Sequence, residues 1–110
     1  MTANITNTTT RQDAAASATA ENWNNVHAAL DCVENELAAL PDDVTDQILD
    51  GLSRCLLEWL QVLMTMDAPD HAALVEKLRL FKYHDCGELV TANAMLDAML
   101  KDAKRLGGLA

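Results

Sequence analysis

The chain has 110 residues, half of them apolar, a formal net charge of −9 and three cysteines. A chain of this length builds one core, burying roughly 65% of the surface that its unfolded form exposes. Composition excludes several classes: no run reaches the roughly 18 apolar residues of a membrane span, the start lacks the basic flank and apolar stretch of a secretory signal, and the cysteines show no Cys-x-x-Cys spacing.

The implied address is the cytoplasm, with Cys32, Cys55 and Cys86 reduced. Only Trp23, Trp59, Phe81 and Tyr83 are aromatic, while Ala and Leu dominate, which is the composition of helices. Residues 1–19 are rich in Thr, Asn and Ala around an isolated Ile5, and offer no apolar face to offset the entropy of ordering. A disordered tail is expected there, with residues 20–110 forming a helical bundle. The triplets Asn4-Ile5-Thr6 and Asn7-Thr8-Thr9 match glycosylation acceptors, but they fall in a Thr-rich run with no secretory signal before it.

From Glu21 onward the pattern changes. Trp23, Val26, Leu30, Val33, Leu37 and Leu40 recur at spacings of three and four, the stripe of an amphipathic helix. Pro41 ends it, and Asp42 or Asp43 is placed to cap the next helix. That second helix is expected from about Val44 to Met66. Its apolar residues, from Val44 and Ile48 through Cys55 and Trp59 to Val62 and Met66, cover roughly 160° of its circumference. A band so wide predicts a central helix touching two or three others, with Trp59 and Cys55 buried and Gly51 allowing a close crossing.

Asp67-Ala68-Pro69-Asp70 carries a start signal, with Asp67 as cap, Pro69 in the first turn and Asp70 at the positive end of the dipole. The third helix is expected to bury His71, Leu74, Val75, Leu78 and Phe81, and Gly87 can supply a left-handed stop unless the pattern runs through it as one bent helix. The fourth sets Leu89, Ala92, Leu96, Met99, Ala103 and Leu106 on its inner face, with Met95 and Leu100 flanking. Short loops between four helices predict an all-α protein: a small antiparallel, up-down-up-down four-helix bundle.

The string MDAPDHAALVEKLRLF, from Met66 to Phe81, resembles the second half of short, acidic, uncharacterised helical proteins encoded in bacteriophage and prophage regions. The resemblance runs from there to the C-terminus. It implies an accessory protein acting inside a bacterial cell, and it brings no catalytic motif to transfer.

The nearest approach to a reactive site is His84-Asp85-Cys86-Gly87-Glu88, which gathers three kinds of metal ligand in one turn. A metal-binding or redox role for the His84–Cys86 region is therefore a distant alternative to a plain polar turn. His27, His71, Cys32 and Cys55 show no paired zinc spacing, and Cys32 projects away from its helix's stripe as the exposed thiol. There is no nucleophile elbow, no phosphate loop and no paired His-Glu motif. The reading is a non-enzymatic protein with no catalytic residue, metal or cofactor.

Charge is unevenly placed. Between Glu21 and Asp70 eleven acids face the single base Arg54, whereas from His71 onward five acids meet six bases. Such a field opposes direct binding to duplex nucleic acid. The acids either keep a helical protein soluble or attract a basic partner, as an inhibitor mimicking nucleic-acid phosphates would, with Asp43, Asp46 and Asp50 on the polar side of the second helix. Leu80 and Tyr83 supply a second candidate surface, because both point away from the expected stripe of the third helix. They are covered by the N-terminal segment or a bent loop, or they anchor a homodimer or a protein partner of unknown identity. No membrane association is expected.

Overall fold

The computed structural model describes the backbone of residues 2–107 and the side chains of residues 18–107. Four helices follow in order, α1 (Thr2–Ala38), α2 (Asp46–Thr65), α3 (His71–Tyr83) and α4 (Ala92–Leu106), with a single 3₁₀ turn at Cys86–Glu88 before the last. The protein is all-α, and short connections fold the helices back on one another as an antiparallel bundle. The tail expected over residues 1–19 falls chiefly on residues whose side chains lie outside those described.

On α1 the predicted stripe holds. Trp23, Leu30 and Val33 are buried, Val26 and Leu37 are half-buried along the same face, and Leu40 is half-buried just beyond the helix end at Ala38. α1 packs along α2, and α2 also touches α4 and α3. The second helix is thus central, as its wide apolar band implies, but only part of that band is used. Leu60, Leu63 and Met64 are buried at its C-terminal end, where the core gathers Trp23, Leu30, Ala68, Ala73, Leu80, Cys86, Met95 and Met99. Trp59, expected in the core, is 38% exposed, and Cys55 is exposed beside it. The reason is coverage: the core meets α2 on the side of Leu60, Leu63 and Met64, and Trp59 and Cys55 lie roughly 110° around the helix from that side. Gly51 does not serve a crossing within the chain either, since a Cβ added there would meet nothing within 4 Å.

The helix starts differ from those expected. Thr45 caps α2, its hydroxyl accepting from the Ile48 N–H at 3.4 Å, so Asp42 and Asp43 remain in the loop. Asp70, not Asp67, caps α3, its carboxylate accepting from the Ala73 N–H at 2.8 Å. At the end of α3 the left-handed residue is Asp85 (φ 51°) and not Gly87. That turn separates α3 from α4, and α4 begins at Ala92 after the turn rather than at Leu89.

The largest correction is rotational. α3 buries Ala73, Lys77 and Leu80, keeps Leu74 and Phe81 of the expected face half-buried against the core, and leaves Val75 (63% exposed), Leu78 and His71 outside, a turn of roughly 100° from the expected face. On α4, Met95, Met99 and Asp102 are buried while Leu96, Leu100 and Ala103 face outward, a turn of roughly 60°. Both rotations bring Lys77 and Asp102 together.

Candidate functional site

Lys77 and Asp102 are completely enclosed, and the Lys77 ammonium meets Asp102 Oδ2 at 2.5 Å while also donating to the Met66 carbonyl. The second carboxylate oxygen accepts from the Ala68 N–H at 3.0 Å and from Arg105 at 2.9 Å, and Arg105 donates further to the Ala68 carbonyl at 2.7 Å. One buried ion pair with Arg105 therefore binds the turn after α2 to α3 and α4, and it satisfies the Met66 carbonyl and the Ala68 N–H and carbonyl, which α2 and α3 leave unpaired. Such an arrangement neutralises both charges and leaves no open position for a ligand. Its role is structural, with the heavy desolvation cost of two ions offset by the density of their contacts.

A second polar set bridges α1 and α3. His27 Nε2 lies 2.7 Å from Glu76 Oε2, and its other nitrogen 3.4 Å from Asp31, with the Trp23 ring stacked on the imidazole at 6.0 Å. Arg79 grips both oxygens of Glu76 at 2.5 and 2.9 Å. The Arg79 hydrogen bond, opposed in part by burial and aided by His27, holds the Glu76 carboxyl at about 2, well below its ordinary 4.5. Towards the end of α3, His84 Nε2 faces Glu34 of α1 at 3.7 Å.

The His84–Glu88 turn does not converge on a centre. Cys86 is buried with its sulfur towards the Leu80 carbonyl, and burial, with the Asp85 charge, pushes its thiol pKa up, whereas His84 turns to Glu34. Among the described residues no group of three His, Cys, Asp or Glu side chains is placed to hold a metal ion.

The surfaces separate the remaining candidates. Leu80, expected on the outer face, is buried at 1% exposure because α3 is turned towards Asp102. Tyr83 is 70% exposed and lines a shallow groove with Leu37, Leu56 and His84. Asp43, Asp46 and Asp50 are all exposed at one end of the bundle, together with Asp42. Sequence reasoning passed over the surface beside them. Ile48, Leu52, Cys55, Trp59 and Val62 form a row along α2 at spacings of 4, 3, 4 and 3, of which Leu52 is half-buried and the other four exposed. That alternation is the period of a helix-pairing seam, and the signal was visible in the sequence but was absorbed into the presumed core.

Comparison with protein-family models, with curated proteins and with solved structures finds no match to this chain. The molecule defines itself only as a small all-α bundle with an unpartnered apolar row, and no described helix is long and apolar enough to cross a membrane.

Proposed function

We propose that the chain is a non-enzymatic interaction protein that works by presenting helix faces to another protein, in keeping with an accessory role in the bacterial cytoplasm of the phage-encoded kind. What carries the reading is the number of large apolar side chains left outside: eleven among the described residues, from Ile48 to Leu100, about as many as the core itself holds. Single exposed apolar residues are ordinary, but rows at helical spacing mark association surfaces. Affinity capture with mass-spectrometric identification tests it, comparing the wild type with Trp59→Glu and Tyr83→Glu. A partner, whether another protein or the chain itself, should be lost from one variant whose helical circular dichroism is unchanged. Recovery indifferent to both substitutions, or no recovery at all, would overturn the reading.

A second reading rests on the acidic end. Asp42, Asp43, Asp46 and Asp50 are exposed with no base between Glu21 and Arg54, so they suit a basic groove of the kind that holds nucleic-acid phosphates. Lys at Asp43, Asp46 and Asp50, with Asn controls, separates an acidic inhibitor from a merely solvated face. Binding to a captured nucleic-acid enzyme that survives the Lys substitutions at low salt would exclude the inhibitor.

A further inference from the structure

We propose that the groove beside Tyr83 receives an arginine side chain of a basic partner protein. The proposal rests on the interaction reading above and names the chemistry of the partner. The groove lies where the last turns of α1, the middle of α2 and the end of α3 meet, and Glu34, Leu37, Ala38, Leu56, Tyr83 and His84 line it. At about 330 Å³ it has room for one side chain and little more.

Two polar atoms there lack a bond. Glu34 Oε1 and His84 Nε2 are both buried without a hydrogen-bond partner, and the 3.7 Å between them is too long for one to satisfy the other. Such groups carry a desolvation cost until a partner arrives. A carboxylate oxygen only accepts, and an imidazole nitrogen accepts when the proton sits on the other nitrogen, so one donor group can serve both. The Glu34 side chain keeps 28% of its surface open, so its carboxylate is reached from the groove. A guanidinium suits the place better than an ammonium. It spreads several N–H donors over one plane and is the more weakly hydrated ion. Its face stacks on aromatic rings, and Tyr83 offers one, 70% exposed at the rim. Its methylenes would cover Leu37 and Leu56.

Charge agrees with a basic partner. The last turn of α1 runs into the loop and first turns of α2, where Asp42, Asp43, Asp46 and Asp50 are exposed, and no base occurs between Glu21 and Arg54. That end of the bundle draws a cationic surface and disfavours a second copy of a chain of charge −9. The chain's own neighbouring bases are engaged or turned away. On α3, Arg79 grips Glu76, Lys77 is enclosed with Asp102, and Lys82 lines a different groove with Phe81 and Asp85. On α2, Arg54 stands roughly 160° round the helix from Leu56.

The test is a titration of the full chain with the blocked tripeptide Gly-Arg-Gly at physiological salt, followed by two-dimensional NMR of the backbone amides. Saturable shifts are expected at Glu34, Tyr83 and His84 in the millimolar range. The same peptide with citrulline for arginine keeps the shape without the charge, and should give no saturable shift. Glu34→Gln should weaken the arginine peptide roughly tenfold and Tyr83→Ala severalfold, with helical circular dichroism unchanged. Tyr83 is exposed and the citrulline comparison uses the wild type, so the outcome stands even where Glu34→Gln disturbs packing. Equal shifts with citrulline, shifts confined to residues 42–50, or an affinity indifferent to both substitutions would overturn the proposal. No titration, with a captured protein still lost on Trp59→Glu, would overturn the arginine site and keep the interaction reading, whereas no titration and no capture would end both.

Discussion

Asp102→Ala removes the carboxylate on which three elements converge. It strips the enclosed Lys77 ammonium of its counter-ion, leaves the Ala68 N–H without an acceptor and frees Arg105 from its 2.9 Å contact. Breaking a buried pair from one side costs about 3–5 kcal/mol, and an orphaned buried N–H adds about 1–3 kcal/mol. A small domain has only about 5–15 kcal/mol in total, so this variant should be barely folded at 25 °C. Lys77→Met is expected to cost less, because Asp102 would keep Arg105 and the Ala68 N–H, while Met66 loses one donor. Urea titration followed by circular dichroism, at one fixed protein concentration, gives both values. A loss below about 1 kcal/mol for Asp102→Ala, or a larger loss for Lys77→Met than for Asp102→Ala, would refute the account of the network.

Leu30→Ala, at a fully buried position, should destabilise by about 2–5 kcal/mol, whereas Trp59→Ala should cost under about 1 kcal/mol; equal losses in denaturant melts would contradict the packing described. Glu76 is held at about 2 when folded against 4.5 otherwise, so its stabilisation is complete above 4.5 and disappears as the pH falls from there towards 2. Because Arg79 is more than half exposed, the effect should be no more than about 1 kcal/mol, read as a gap between wild type and Glu76→Gln that closes on acidification; a gap that is constant with pH would remove the ion pair from the account. In a thiol-labelling assay on the native protein, Cys32 and Cys55 should react promptly and Cys86 only on unfolding, and a third fast thiol would show that the α3–α4 turn is open.

What was legible in the sequence was legible for a local reason. The stripe of α1 reads correctly because Trp23, Val26, Leu30 and Val33 are the apolar positions of that segment, with no competing face. α3 offers two faces, Leu74/Leu78/Phe81 and Ala73/Lys77/Leu80, and hydrophobicity alone selects the first. The second is buried, with Leu74 and Phe81 of the first half-buried at its edge and Leu78 left outside, because Lys77 finds Asp102, 25 residues away, and no helical period encodes that pairing. A trace of it is present: Met95, Met99, Asp102 and Leu106 keep 4-3-4 spacing with an acid in one place, as Ala73, Lys77 and Leu80 keep 4-3 with a base. Opposite charges standing in core registers of two neighbouring helices are a signal for a buried pair. The exposed row of α2 was misread for a different reason, since an apolar band records how much surface is to be covered and says nothing about whether this chain or another covers it.

The ion pair also explains why so much apolar surface stays outside. A well-packed apolar replacement of a buried pair is often as stable as the pair itself, so stability alone gives no reason to keep two ions in this core. What they impose is rotation: any turn of α3 or α4 that brought Val75, Leu78, Leu96 or Leu100 inward would separate Lys77 from Asp102 and leave both charges enclosed and unpaired. Only one register escapes that penalty. The double variant Lys77→Met with Asp102→Leu removes the constraint while keeping the volume, and it is expected to unfold within about 2 kcal/mol of the wild type. Its helices should then sample more than one rotation, with broadened methyl resonances of Leu78 and Leu96 and faster amide exchange in α3 and α4 at unchanged helical content. A double variant with the sharp methyl spectrum and exchange protection of the wild type would show that packing alone fixes the rotation, and the pair would then have no part in setting which faces the molecule presents.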